Sequence, residues 1–168
     1  MPGVVLVSDA LADILNLAGG RSPATTTDAF TPKVAESDVG NFPPGTPVAA
    51  VASASGNVAP GNANADVPAA EIVGVALTVG VVGNTVVVAR QGVIVSLTTE
   101  EWSQVLSDGG DSGLAQGTRY YVDDDFPQSG GKITTTPPSA SGASVVSVGV
   151  ALSPTDLLVM PSVPVINP

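Results

Sequence analysis

The pentapeptide "VGVAL" stands at Val73–Leu77 and again at Val148–Leu152, 75 residues later. In a Val-, Ala- and Gly-rich chain one such coincidence carries little weight. The flanks decide the matter. Before the first copy comes "FPPGTPVAAV" (42–51), and before the second "LAQGTRYYVD" (114–123). Each places a Gly-Thr pair, Gly45-Thr46 or Gly117-Thr118, ahead of an apolar strand. After each copy comes a turn and further strand: "TVGVVGNTVVVARQGVIV" after the first, "SPTDLLVMPSVPVI" after the second. Gly83-Asn84 and Ser153–Asp156 supply the turn residues. The shared order is Gly-Thr turn, strand, long loop, VGVAL strand, hairpin turn, strand, strand. It predicts a duplicated β-unit, with convergent hairpin chemistry as the competing explanation.

Composition points the same way. The chain has 168 residues, enough for one domain or two small units with a common core. Aromatics are 4% and the apolar content is mostly Val and Ala; the branched Cβ of Val favours strands, and Val-rich runs cut by Gly, Pro, Ser and Asn point to many turns. The expected fold is all-β: a small barrel or sandwich of two similar units, with a short N-terminal helix and a short linker helix. The expected parts are an N-terminal helix and arm (1–33), a first β-unit (34–97), a linker helix and loop (98–113), and a second β-unit with an extended C-terminal arm (114–168).

The N-terminal helix is read from "SDALADILNLAGG" (8–20), where Leu11, Ile14 and Leu15 form an apolar stripe and Gly19-Gly20 ends it. Three turns are too short to be stable alone, so the stripe packs either on its own body or on a neighbouring subunit. The linker helix is read from "LTTEEWSQVLSDGG" (97–110). Thr98 or Thr99 stands at its start, Glu100 and Glu101 in its first turn, and Trp102 anchors it. Gly74, Val75, Leu77, Trp102, Tyr120, Gly149, Val150 and Leu152 are the expected structural core.

Charge and missing residue types exclude much chemistry. Net charge is −10, with five basic residues that do not cluster, which argues against nucleic acid and against an anionic membrane surface. The start does not read as a secretory signal, and the apolar region 72–97 is too interrupted by Gly, Asn and Arg to span a bilayer. No Cys and no His are present, which removes thiolate sites and the commonest general base. A Ser–Lys pair would have to use Lys33 or Lys132, both in polar, turn-like contexts; no G-x-S-x-G and no P-loop occurs. Asp123, Asp124 and Asp125 are the weak metal candidates. Adjacent acids on an extended chain point apart, so a solvated loop competes with a calcium site there. The expectation is a non-enzyme without cofactor. Contact candidates are Leu11, Ile14, Leu15 and Phe30 at one end, and Pro161, Val163 and Val165 in the Pro-punctuated tail. The stretch "ITTTPPSASGAS" (133–144) reads as an exposed loop, since Pro137-Pro138 cannot donate to a ladder.

One arrangement of motifs resembles a known family. Leu97-Thr98 with Trp102, Gly113-Leu114, Gly117, Tyr120-Tyr121, Ile133–Thr135 with Pro137, and Val148–Ser153 follow the order of a module found in structural proteins of tailed phages. In the first half, Gly45, Val48, "GVA" at 74–76 and "ARQGVI" at 89–94 look like the small β-barrel of capsid decoration (cement) proteins. The resemblance spans roughly 34–166. It implies a protein on the outer surface of the phage head that binds the major capsid protein, stabilises the shell and forms homotrimers. A head- or tail-fibre module that binds host glycans shares the same motifs and stays open as the alternative.

Overall fold

The computed structural model describes residues 29–34, 41–51, 56–64, 71–124 and 131–168. The expected N-terminal helix, with Leu11, Ile14 and Leu15, lies outside the described residues. The described fold is mainly β. In chain order the strands are β1 (Ala29–Phe30), β2 (Lys33–Val34), β3 (Pro47–Ala50), β4 (Asn57–Pro60), β5 (Ile72–Ala76), β6 (Val88–Ala89) and β7 (Ile94–Ser96). Helix α1 (Thr99–Val105) follows. Then come β8 (Arg119–Val122), β9 (Ile133–Thr134), β10 (Ser144–Val145), β11 (Ser147–Ala151), β12 (Asp156–Val159) and β13 (Val165–Ile166).

Six strands form one sheet in the order β1-β6-β5-β3-β4-β2, and five form another in the order β7-β12-β11-β8-β9. Strands β10 and β13 make a separate pair. Apart from β2, the first sheet has the same connectivity as the second. In both, an edge strand is followed by the Gly-Thr strand, its neighbour, the VGVAL strand and a closing strand that pairs back to the edge.

The likeness extends to single hydrogen bonds. Gly45 N–H donates to Ala76 C=O at 2.8 Å, and Gly117 N–H donates to Ala151 C=O at 2.8 Å. The return bonds, Ala76 N–H to Thr46 C=O and Ala151 N–H to Thr118 C=O, are both 2.9 Å. Gly45 and Gly117 sit at φ +86° and +77°, a region that costs a residue with a Cβ strain. The register repeats too. Pro47, Val48 and Ala49 face Val75, Gly74 and Ile72, while Arg119, Tyr120 and Tyr121 face Val150, Gly149 and Ser147. Each VGVAL strand therefore bulges at its first Val, Val73 or Val148, with one extra residue against its partner. The glycine that follows is required. A Cβ on Gly74 would collide with the carbonyl oxygen of Ala89, and one on Gly149 with that of Leu158.

The unit boundaries differ from the sequence expectation at two places. Strand β7 follows the first unit closely in sequence, yet it pairs with β12 in the second sheet. Strand β1, placed in the N-terminal arm by its polar neighbours, is the edge strand of the first sheet. Each unit thus begins one strand earlier than the VGVAL and Gly-Thr markers suggest. Edge-strand pairing is non-local, and a two- or three-residue strand carries no periodicity to announce it.

Two cores result. The larger joins Val95, Leu97, Trp102, Val105, Leu114, Tyr120, Val122, Ile133, Val148, Leu157 and Val159 of the second unit to Ala49, Ile72, Val75, Leu77 and Ala89 on one face of the first sheet. The smaller covers that sheet's opposite face with Val34, Phe42, Val48, Val58, Ala76, Val86 and Val88. The long β5–β6 hairpin makes this possible by pairing back to earlier segments: Phe42 and Gly80 exchange backbone bonds, and Val34 N–H donates to Asn84 C=O. Helix α1 forms as its first turn predicts. Thr98 Oγ1 accepts from Glu101 N–H and Glu101 Oε2 accepts from Thr98 N–H, a reciprocal capping box. Trp102 is fully buried, and its indole N–H donates to Thr155 C=O at 2.9 Å.

Candidate interaction surface

The expected core residues divide by copy. Gly74, Val75, Leu77, Trp102, Tyr120 and Gly149 are buried. Val150 is half-buried, and Leu152 is 42% exposed. Placing Leu152 in the core is thus corrected. Its backbone N–H pairs with Asp156 C=O, as Leu77 N–H pairs with Val87 C=O, so the strand geometry is the same in both copies. What differs is the cover. Leu77 points into the core joining the two units, and Leu152 points away from it.

The consequence is an exposed apolar face on the second sheet. One row across it reads Ile94, Leu158, Val150, Arg119, each opposite the next in register. Ile94 is 45% exposed, Leu158 and Val150 are half-buried, and Arg119 is exposed. Leu152 and Met160, itself 38% exposed, extend the apolar surface at either side. The sequence marked Leu152 and Val150 as interior because they repeat Leu77 and Val75. The alternation of β12, with Leu157 and Val159 inside, was the available signal that Leu158 faces out.

Among the expected contact residues, Val163 and Val165 are strongly exposed and Pro161 is half-buried. Ile166, not singled out by the sequence, is exposed beside them. Strand β13 is tied to β10, with Ser144 opposite Ile166 and Val145 opposite Val165. Asn167 Nδ2 donates to Pro138 C=O at 2.7 Å and helps fix the tail. The tail is therefore a held arm whose apolar side chains face outward. Phe30 behaves differently. It is half-buried, packs against the smaller core, and carries the Arg90 guanidinium 4.8 Å above its ring.

The acidic run leaves β8 as a junction between the two units. Ala63 N–H donates to Asp123 C=O and Asn64 Nδ2 to Asp124 C=O. Asp125 lies outside the described residues. Among the described residues no group of three or more His, Cys, Asp or Glu gathers to hold a metal ion. No described helix is long and apolar enough to cross a membrane.

Two other carboxylates organise turns. Asp108, just past α1, would be raised by burial. Hydrogen bonds from Thr135 N–H, the Thr135 hydroxyl and the Thr134 hydroxyl outweigh that and hold it below the usual range. These bonds fix the start of the expected loop 133–144: Ile133 and Thr134 form a buried strand, β9, and Pro138 is buried, while Thr135–Pro137 and Ser139–Ser141 are the exposed loop that the composition predicts. Asp156 is held low by the hydroxyls of Ser153 and Ser96, which lock the β11–β12 turn to β7. In both clusters the Asp carboxylate accepts bonds from the hydroxyls that shape the turn.

Comparison with known families and curated proteins finds no family model and no curated protein that matches this chain.

Proposed function

We propose that the protein is a non-catalytic structural component of a tailed-phage virion, bound to the outer surface of the head shell and stabilising it. One observation carries this reading. The residues that resemble the phage structural module are not scattered through the fold. Leu97, Trp102, Leu114, Tyr120 and Val148 are buried in one cluster, and α1 is pinned to the Ser153–Asp156 turn by Trp102. The Tyr120 hydroxyl accepts from Ala115 N–H at 2.8 Å, closing the Gly113–Gly117 segment against its strand. The matching positions are thus the ones that build the second unit.

Such a protein works by mass action. Binding to the assembled shell and not to its free subunits stabilises the shell by about 2.7 kcal/mol per site when the free protein stands a hundredfold above its Kd. The contact to the major capsid protein falls to the outward-facing tail at Val163, Val165 and Ile166, which presents apolar side chains on a fixed backbone. The test is the melting of phage heads with and without the protein. The reading predicts a higher melting temperature with it, and a smaller rise with a Val163→Asp, Val165→Asp variant. Unchanged melting, or density for the chain only at the tail tip in cryo-electron microscopy of virions, would overturn it.

A further inference from the structure

We propose that the shell protein docked on the C-terminal tail also covers the outer face of the second sheet, so that tail and face form one continuous docking surface. This extends the shell-bound reading and rests on it.

Size sets the first demand. A stable protein–protein contact takes about 800 Å² from each partner, roughly 20–30 residues a side. The tail offers Val163, Val165 and Ile166, which are 81%, 64% and 69% exposed. Three side chains in and beside a two-residue strand fall well short of that. A partner that rests on them must also touch what adjoins them.

The backbone decides what adjoins them. Past its end, β12 runs on beside β11: Met160 N–H donates to Val148 C=O at 2.9 Å, and Ser162 N–H donates to Ser147 C=O at 3.1 Å. Ser147 fastens the same joint three more times. Its N–H donates to the Ser162 hydroxyl at 3.0 Å, its hydroxyl donates to Met160 C=O at 3.1 Å, and that hydroxyl accepts from the Arg119 guanidinium at 3.4 Å. Val163 is the next residue after Ser162. Met160 shares the outer face with Leu158, two residues before it. The apolar tail is therefore the continuation of the apolar face, on a backbone held at the join. From Met160 the face runs over Leu158 to Ile94 on one side and to Val150 and Leu152 on the other. Apolar residues scattered singly would be ordinary; a run that joins a sheet face to a fixed arm marks a contact surface.

Charge describes the partner. Arg119 is exposed at the end of the row Ile94, Leu158, Val150, while Asp156 on the same face is engaged by Ser96 and Ser153. The matching surface is apolar at its centre and offers a carboxylate to Arg119. Its surroundings are neutral or basic, because a chain of net charge −10 repels an acidic partner, another copy included.

The test is co-sedimentation of the full chain with phage heads that lack it. Wild type is compared with Ile94→Asp, Leu152→Asp, Val163→Asp and a control, Val79→Asp, at a 55% exposed residue of the β5–β6 hairpin. All four sites are exposed, and circular dichroism checks that each variant keeps the wild-type fold. Ile94→Asp and Leu152→Asp should weaken binding about tenfold or more, a loss of about 1.4 kcal/mol, as Val163→Asp does, and Val79→Asp should bind as the wild type. Met160 gives a readout that needs no variant: its oxidation by peroxide, followed by mass spectrometry, should slow several-fold on the heads. Binding lost in Val163→Asp but intact in Ile94→Asp and Leu152→Asp would confine the contact to the tail. That result overturns the continuous surface and leaves the shell-bound reading standing. Equal oxidation of Met160 in free and bound protein overturns it in the same way. A wild-type chain that does not bind heads overturns the shell-bound reading and the surface with it. Self-association of the free chain that Leu152→Asp abolishes would give the face to another copy, and overturn the proposal likewise.

Discussion

The two VGVAL strands have the same five residues, the same bulge and the same hydrogen-bonded glycine, yet opposite surroundings. In β5 and just past its end, the side chains of Val75 and Leu77 are buried between the two units. In β11 and just past its end, the matching Val150 is half-buried and Leu152 is exposed. Identical sequence therefore determines identical backbone here, and does not determine burial. Backbone geometry follows from local demands: a bulge, a positive φ, a glycine beneath a carbonyl. Burial follows from what the rest of the chain lays on top.

Substitution at matched positions sharpens the contrast. The largest difference is expected at Leu77 and Leu152. Leu77→Ala should cost about 3 kcal/mol of unfolding free energy, through lost burial and the cavity left behind. Leu152→Ala should stay within about 0.5 kcal/mol, as exposed substitutions do. Urea denaturation of both variants measures the gap, and equal losses would mean that the two copies share one environment.

Next come the glycines, where the contrast should vanish. Gly74→Ala and Gly149→Ala each force a methyl against a backbone carbonyl across the strand pair, and both should lose about 2 kcal/mol. Tolerance of alanine at one site and not at the other would break the equivalence of the two bulges.

A smaller effect belongs to the second copy alone. Asp156 is held below the ordinary carboxylate range by the Ser153 and Ser96 hydroxyls. Its contribution is therefore present above the unfolded-state pKa and is lost as pH falls through the lowered folded-state value. Asp156→Asn should cost about 1 kcal/mol at neutral pH. The gap to wild type should close in acid, measured by denaturation at a series of pH values. A gap that is constant with pH would remove the charge from the account.

Much of this organisation can be read from the residues. The Gly-Thr and VGVAL markers reveal the duplication, and Thr98, Glu101 and Trp102 reveal α1, because caps and tight turns depend on a few adjacent residues. The strand Ile94–Ser96 is legible as a strand but not as a member of the second sheet, since its partner Asp156–Leu158 lies about sixty residues away. The Thr134–Thr135 clamp on Asp108 is hidden for the same reason: composition says loop, and one distant carboxylate makes a strand end. The partly exposed face was obscured by the repeat itself, which suggests equal roles for Val75 and Val150. Only the alternation in β12, with Leu157 in and Leu158 half-out, hints at it.

The most direct test is methyl NMR of the full chain with a soluble paramagnetic agent. The account predicts little broadening at Val75 and Leu77, partial broadening at Val150 and strong broadening at Leu152. Equal broadening of Leu77 and Leu152 would contradict the claim that one β-unit, built twice, is covered in its first copy and, among the described residues, left partly open in its second.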